Sequence, residues 1–359
     1  MKKIEVIREK IDKVDSALIR ALLKRIELAK EIAAYKKTRD ETVYRPEREE
    51  QILKKALAKL TGTAAAVTEE VMRTVISSCR NLQKNISVSY LGPRATFTHN
   101  AAVKIFGSFC RFLPAVSIGD VFSAVETGRA DFGVVPIENS TEGMVNHTMD
   151  MFAASPLKII KEEYLAISHC LVSAGKNKNK IKKLYSHPSV FGQCRNYISR
   201  NLPLSEKTEV SSTAEAVKMA AKWPALGAAI SSKFAAQMYG MNILDEHIED
   251  MSQNYTRFLV MGKSTPETSG KDKTSFLFSL KDKPGILHDA LTPFKKRNIN
   301  LKKIESRPSK KKAWEYLFFV DCEGHIGQKK IQNVVSELSK FCDSLKILGS
   351  YPEGRLPKS

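Results

Sequence analysis

The spacing of apolar and polar positions changes character twice along the chain. Ile4, Ile7, Ile11, Val14, Leu18 and Leu22 recur at three- and four-residue steps, which predicts one long amphipathic helix over residues 4–37. A second helix is expected from Pro46, a favourable first-turn residue, to Leu60. A third is expected from about Thr68 to Ile86, with Met72, Ile76, Cys79, Gln83 and Ile86 in register. From Val88 onward short β-rich runs alternate with Ala-rich helical stretches, an α/β pattern. After the polar stretch "GKSTPETSGKDK" comes a strand ("TSFLFSL"), a Pro-Gly turn and helix, two strands around a basic turn, then a helix and a strand. That order, βαββαβ, is a ferredoxin-like plan. The expected segments are therefore all-α over 1–86, α/β over 87–262, a linker over 263–273 and α+β over 274–353.

Composition narrows the classes of function. The six cysteines are scattered with no Cys-x-x-Cys pair, as in a cytoplasmic protein with reduced thiols rather than a disulfide frame or zinc site. No apolar run approaches a membrane span of about 20 residues, and the start "MKKIEVIREKIDKVD" is no secretory signal. The net charge of +19 is spread over all three segments. No recognition helix or aromatic platform accompanies it, so attraction of small anionic substrates explains it better than nucleic acid.

In the first segment the apolar seam is interrupted. Continuing its steps places Arg25 and Lys36 where core residues are due. Eleven residues apart, they lie within about 20° of each other around the helix. Glu49 and Gln83 occupy similar positions on the next two helices. Isolated buried charges are costly, so an excess of cations there calls for an anionic ligand. "IREKIDKVD", "LLKRIELAKEIAAYK" and "VYRPEREEQIL" resemble the all-helical chorismate mutase family, which works as an intertwined dimer. The resemblance implies that Arg8 (from the other subunit), Arg25, Lys36 and Arg48 bind chorismate's carboxylates and ether oxygen. Glu49 then holds the ring hydroxyl and Gln83 joins Lys36 at the ether oxygen. Arg45 and Cys79 stand where some members carry Asp and Ser, and are secondary contacts. A pericyclic rearrangement needs positioning and charge stabilisation, with no nucleophile, metal or cofactor.

In the middle segment, polar groups crowd the ends of predicted strands: Thr96 and Thr98 as helix caps, then Glu138, Asn139, Ser140, Thr141 and Glu142 without a break. Ser186, His187 and Gln193 follow, and Ser212 and Thr213 open an Ala-rich helix. Strand-end loops are where α/β proteins place binding groups. "LGPRATFTHNAA", "PIENSTEG", "SHPSVFGQC", "STAEA", "AAISSKFAAQMYGMNIL" and "NYTRF" in this order resemble prephenate dehydratase across residues 88–262. The resemblance implies a two-lobed α/β domain of the type-II periplasmic-binding-protein kind. It makes Thr256 the catalytic threonine and Arg257 a substrate-carboxylate anchor, with Thr96, Asn139, Ser140, Gln193 and Ser212 or Thr213 lining the cleft. Glu138 is a candidate supporting acid.

The last segment resembles an ACT regulatory domain, and "IESRP" is characteristic of those attached to prephenate dehydratases. Phenylalanine is then expected between paired domains, at Gly285, Ile286 and Leu287 and at Glu305, Ser306, Arg307 and Pro308. The first loop reads "PGIL" where Pro-Gly-Ala-Leu is usual. The three resemblances imply an enzyme that converts chorismate to prephenate and prephenate to phenylpyruvate, inhibited by phenylalanine and assembled as a homodimer or tetramer. Two alternatives are a dehydratase whose helical segment only dimerises, and an amino-acid-binding regulator without catalysis.

Overall fold

The computed structural model describes residues 2–37, 43–251, 253–308 and 316–357, so the basic turn at 309–312 lies outside the described residues. The chain divides into two compact units: residues 1–86 with 106–111, and the remainder. In the first, helix α1 (Lys2–Lys37) is followed by α2 (Pro46–Leu57) and α3 (Gly62–Gln83). α3 begins six residues earlier than the apolar register predicts, because Thr61 takes the extended N-cap conformation and an Ala-rich turn extends the helix. α1 leaves Ile4, Ile7, Ile11, Val14 and Leu18 at least half exposed, an apolar stripe that a single chain does not cover.

The second unit opens with β1 (Ser87–Leu91), α4 (Phe97–Phe106), β2 (Arg111–Ala115), α5 (Ile118–Glu126), β3 (Phe132–Asn139), β4 (Gly143–Met144), α6 (Asn146–Ala154) and β5 (Lys158–Ala166). The chain then crosses to a second sheet. That sheet comprises β6 (Cys170–Ser173), β7 (Lys183–Ser186), α7 (Pro188–Gln193), α8 (Arg195–Asn201), β8 (Glu206–Glu209), α9 (Thr213–Ala221), β9 (Gly227–Ser231), α10 (Lys233–Tyr239) and β10 (Asn242–Asp245). It returns through β11 (Tyr255–Gly262), which inserts between β3 and β5. The first lobe thus has the order β2-β1-β3-β11-β5, with β4 paired to β3, and the second β10-β6-β9-β7-β8. Two crossovers join the lobes, 167–169 and a second whose described residues are 246–251 and 253–254, and the amide of Ile167 donates to the carbonyl of Asn254 at 2.8 Å.

The chain ends in β12 (Asp272–Leu280), α11 (Ile286–Lys296), β13 (Leu301–Pro308), β14 (Tyr316–Glu323), α12 (Lys329–Leu338) and β15 (Cys342–Pro352). The antiparallel order β13-β14-β12-β15 is the expected βαββαβ sheet. Its helices cover one face around Phe276, Phe278, Phe294 and Val320. From the other face Leu277, Phe319, Leu348 and Tyr351 enter the same apolar cluster as Val135, Ile159, Leu259 and Met261 of the first lobe. The regulatory sheet is therefore part of the core behind the first lobe.

Gly349 permits this contact. A Cβ built on it would lie 2.1 Å from the carbonyl oxygen of Ile159, so β15 approaches β5 at a distance closed to any side chain. Gly349→Ala is expected to cost at least about 1–3 kcal/mol, the scale of core overpacking. Gly192→Ala, where a Cβ meets nothing within 4 Å, serves as the control. Denaturant midpoints check this: a fall for the first and little change for the second is expected.

Candidate active site

Strand β11 carries the site, and the alternation of side chains along a strand sorts its residues. Thr256 lies opposite Asn139 and Arg257 opposite Glu138 on the neighbouring β3. Adjacent strand residues point to opposite faces, so Thr256 with Asn139 and Arg257 with Glu138 form pairs on different sides of the sheet.

On the first face the geometry fixes the direction of each hydrogen bond. Asn139 Oδ1 accepts from the amides of Thr141 and Glu142, at 2.9 and 3.0 Å. This Asx turn leaves both Nδ2 protons to donate: one to Thr256 Oγ1 and one to Asn254 Oδ1, each at 2.8 Å. With its oxygen already accepting, the half-buried Thr256 hydroxyl has its proton left to give. Ser140 is used differently. Its hydroxyl accepts from the amide of Tyr255 at 2.9 Å and donates to the carbonyl of Gln253 at 3.4 Å, stitching the loop to β11. Gln193, at the end of α7 in the second lobe, donates through Nε2 to Glu142 Oε1 at 3.0 Å, so the two lobes meet beside Asn139.

The remaining expected residues frame the helix starts. Thr96 Oγ1 accepts from the amide of His99 at 3.3 Å, which is an N-cap interaction. Thr98 is the second residue of α4 and is buried, so it is not the cap. Ser212 caps α9, accepting from the amide of Glu215 at 3.1 Å, and Thr213 is the first residue of that helix.

The opposite face departs from the expectation. Arg257, expected as an anchor for a substrate carboxylate, is buried with its guanidinium 2.7 Å from Glu162 and 2.6 Å from Asp321. It also donates to Tyr351 Oη at 3.0 Å. Lys273 completes the cluster on Glu162 at 2.9 Å, giving two cations and two carboxylates. Burial alone would raise the Glu162 pKa, but the charges of Arg257 and Lys273 overcome it and the net shift is downward. Burial likewise opposes the charge of Arg257, and Asp321 and Glu162 reverse that, so its pKa is raised well above the usual value. Glu138, expected near the threonine, accepts from Lys303 of β13 at 2.6 Å. Both residues face the C-terminal sheet because of the strand parity that separates them from Thr256.

In β13 burial alternates: Lys303, Glu305 and Arg307 turn inward while Ile304, Ser306 and Pro308 are exposed. Arg307 pairs with Asp150 at 2.8 Å and donates to the carbonyl of Asn146 at 2.6 Å, at the start of α6. At the other end of α6, Lys346 Nζ donates to the carbonyls of Phe152, Ala153 and Ser155 at 2.7, 3.2 and 2.5 Å. The C-terminal sheet thus holds both ends of the helix that follows the Asn139–Glu142 loop. Gly285 precedes α11 with φ of +76°, a conformation that favours glycine. Ile286 begins the helix, and Leu287 is exposed.

In the helical unit, Arg25 is half-buried and donates to the carbonyl of Val75 at 3.2 Å. Lys36 is also half-buried; Arg48 is exposed and donates to Gln51 at 3.4 Å. Glu49 pairs with Arg80 of α3, a buried cation the sequence pattern did not single out. Arg80 also donates to the carbonyl of Phe106 and lies over the ring of Tyr44. Burial opposes its charge, yet Glu49 holds its pKa above the usual value. Arg45 pairs with Glu47 at 3.0 Å. Cys79 is buried, and Gln83 Oε1 is buried without a hydrogen-bond partner among the described residues. Arg8 is exposed on α1.

Fold and site define the class: a two-lobed α/β enzyme domain, preceded in sequence by a helical domain and followed by a regulatory sheet. Residues 88–266 match the prephenate dehydratase family, 7–84 the type II chorismate mutases, and 274–339 the ACT domains. The bifunctional chorismate mutase/prephenate dehydratase of Aquifex aeolicus is 44% identical over 361 residues, 99% of each chain. That of Stutzerimonas stutzeri is 39% identical over 98% of each. A solved prephenate dehydratase from Arthrobacter aurescens, in complex with L-Phe, superposes with a TM-score of 0.69 at 32% identity, covering 75% of this chain and 90% of that one. The chain belongs to the bifunctional chorismate mutase/prephenate dehydratases, enzymes that carry both activities.

The ion cluster makes a pH-dependent prediction. Because the folded-state pKa of Glu162 is depressed, its contribution to stability is complete above the ordinary value of 4.5 and is lost as pH falls through the folded value. Glu162→Gln leaves Arg257 and Lys273 with one carboxylate fewer and is expected to cost about 3–5 kcal/mol at pH 7. Urea midpoints measured from pH 7 down to pH 3 should show the gap between wild type and variant narrowing below pH 4.5. A gap independent of pH would refute the assignment.

Proposed function

We propose that Thr256 is the hydrogen-bond donor to the hydroxyl that leaves prephenate, and that Asn139 aims it. The observation that carries this reading is the Asn139 Nδ2 bond to Thr256 Oγ1, 2.8 Å, which occupies the oxygen as acceptor and leaves its proton for the substrate. Loss of the ring carboxylate as carbon dioxide pushes electrons toward the ring, and the C4 hydroxyl departs as aromaticity forms. A threonine hydroxyl is a weak acid, so its contribution is a positioned donor at the oxygen where charge develops. Gln193, on the facing lobe, and the capped starts of α4 and α9 near Thr96, Ser212 and Thr213 supply further donors toward the substrate.

The same reading gives Arg257 and Glu138 a different task. Their charges are matched by Asp321, Glu162 and Lys303, so they join the catalytic strands to the regulatory sheet rather than hold substrate. Phenylalanine is read as the effector, following the complex of the Arthrobacter aurescens relative with L-Phe. Ile304, Ser306 and Pro308 offer the outward surface of β13 for it, beside Gly285, Ile286 and Leu287, while Lys303, Glu305 and Arg307 face the catalytic lobe.

In the helical unit, chorismate is held by Arg25, Lys36 and Arg48, with Gln83 at the ether oxygen and Glu49 at the ring hydroxyl. Cys79 is a secondary contact, and Arg8 reaches the site of a second copy. Its exposed stripe of Ile4, Ile7, Ile11, Val14 and Leu18 is the surface that copy covers, because apolar stripes of this length are not left in water.

Thr256→Val keeps the shape and removes the donor. Prephenate turnover is expected to fall about 10²–10³-fold, the worth of one transition-state donor, while chorismate mutase activity stays at the wild-type level. Thr256→Ser should retain most of the rate. Turnover within twofold of wild type for Thr256→Val would remove the threonine from the mechanism.

A further inference from the structure

The hydrogen bonds that begin at Asn139 do not end at Thr256. Asn254 Oδ1 accepts from Asn139, so Asn254 presents its Nδ2 protons, and these face Gln193 Oε1 at 3.5 Å. Gln193 Nε2 donates to Glu142, which makes Gln193 Oε1 the acceptor end of that amide. The atom that meets this oxygen at 2.8 Å is Nε2 of His169. Two facing acceptors would repel, so Nε2 carries the proton. The directions in the series are therefore set at one end by the two backbone amides that donate to Asn139 Oδ1 and at the other by the Glu142 carboxylate that accepts from Gln193.

His169 occupies the first crossover between the lobes and Asn254 the second, and both are buried, at 1% and 4% exposure. The imidazole is held by Phe97 in an edge contact at 5.9 Å, and its own amide donates to Glu249 at 2.8 Å. Its Nδ1 is buried and has no hydrogen-bond partner among the described residues. Burial lowers the pKa of the ring, in keeping with a neutral imidazole. A buried acceptor without a partner works against stability, so Nδ1 gives no reason for an imidazole at this position. The Nε2 proton on Gln193 does.

We propose that His169 is a positioning residue for the dehydratase reaction: its Nε2 proton fixes the Gln193 amide, and with Asn254 it holds the Asn139 side chain that aims Thr256. It rests on the reading of Thr256 as the donor. The arrangement ties both lobe crossovers and the facing helix α7 to one hydroxyl, and displacement of any member turns that hydroxyl away. Misplacement by about 1 Å at a reacting group is worth on the order of 10²-fold in rate.

The test compares four variants of the full chain with prephenate as substrate. His169→Phe fills the site and removes the donor together with the orphaned acceptor, so its unfolding midpoint should equal or exceed that of wild type. Its kcat is expected to fall about 10–100-fold with KM within threefold. His169→Gln carries an amide proton at the reach of Nε2 and should restore kcat to within about threefold of wild type. Asn254→Asp, nearly isosteric, keeps the acceptor for Asn139 and turns an oxygen toward Gln193 Oε1; it should lose kcat as His169→Phe does. Thr256→Val runs beside them. Wild-type kcat in both His169→Phe and Asn254→Asp, with Thr256→Val inactive, overturns the positioning role alone. Full turnover in Thr256→Val overturns the reading on which it rests. A His169→Gln variant as slow as His169→Phe also overturns the proposal, whatever their stabilities, because the donor would then be irrelevant.

Discussion

Two neighbouring residues on β11 face opposite ways, and most of what this enzyme does follows from that. Thr256 meets Asn139 on the side where the lobes come together, and Arg257 meets Glu138 on the side where the C-terminal sheet packs. The strand inserts between β3 and β5 as the last element of its lobe, so its position depends on the whole lobe having formed. The cost of burying the Arg257 guanidinium is met by two carboxylates from different parts of the chain, Glu162 on β5 and Asp321 on β14. A pair so desolvated is unforgiving when one partner is lost. The docking of the regulatory sheet and the placement of β11 thus depend on the same buried charges.

The contacts of the C-terminal sheet give this coupling a route. Lys303 on Glu138, Arg307 on the first turn of α6 and Lys346 on its last carbonyls surround the segment that contains Asn139 and Glu142. Any displacement of β13 acts directly on the first two of these bonds. Rigid sheets transmit such displacements because packed interiors do not deform continuously. The three inward side chains of β13 alternate with three outward ones, so one strand presents a solvent-facing surface and a catalytic-lobe surface at once.

Much of this was legible in the sequence. The helical, α/β and βαββαβ segments follow from apolar spacing and from glycine and proline usage, and the motifs around Asn139, Gln193 and Thr256 mark residues that the structure brings together from segments more than 50 residues apart. What could not be read were partners from distant strands. Nothing near Arg257 in sequence announces Glu162 or Asp321, and a cation beside a threonine suggests a ligand until strand parity separates them. That parity was present in "NYTRF" itself, and applying it would have separated Arg257 and Glu138 from Thr256. His169 carries no spacing signal, since it sits in an irregular crossover, and Asn254, though it opens "NYTRF", is not marked out within it; the hydrogen bonds around Asn139 connect them. Arg80 was hidden for another reason: it occupies the buried face of α3, where the pattern calls for an apolar residue.

The central claim, that Arg257 belongs to the ion cluster and not to the substrate, is tested most directly by removing the charge with its partner. Arg257→Met alone strands Asp321 and should lower both stability and turnover. In Arg257→Met/Asp321→Asn the remaining Glu162–Lys273 pair is balanced, and replacing a buried pair with neutral groups is often tolerated. The measurement is KM for prephenate in that double variant. The account predicts a value within about threefold of wild type, with stability largely regained. A KM raised 100-fold or more in a stably folded double variant would show that the guanidinium holds the substrate after all.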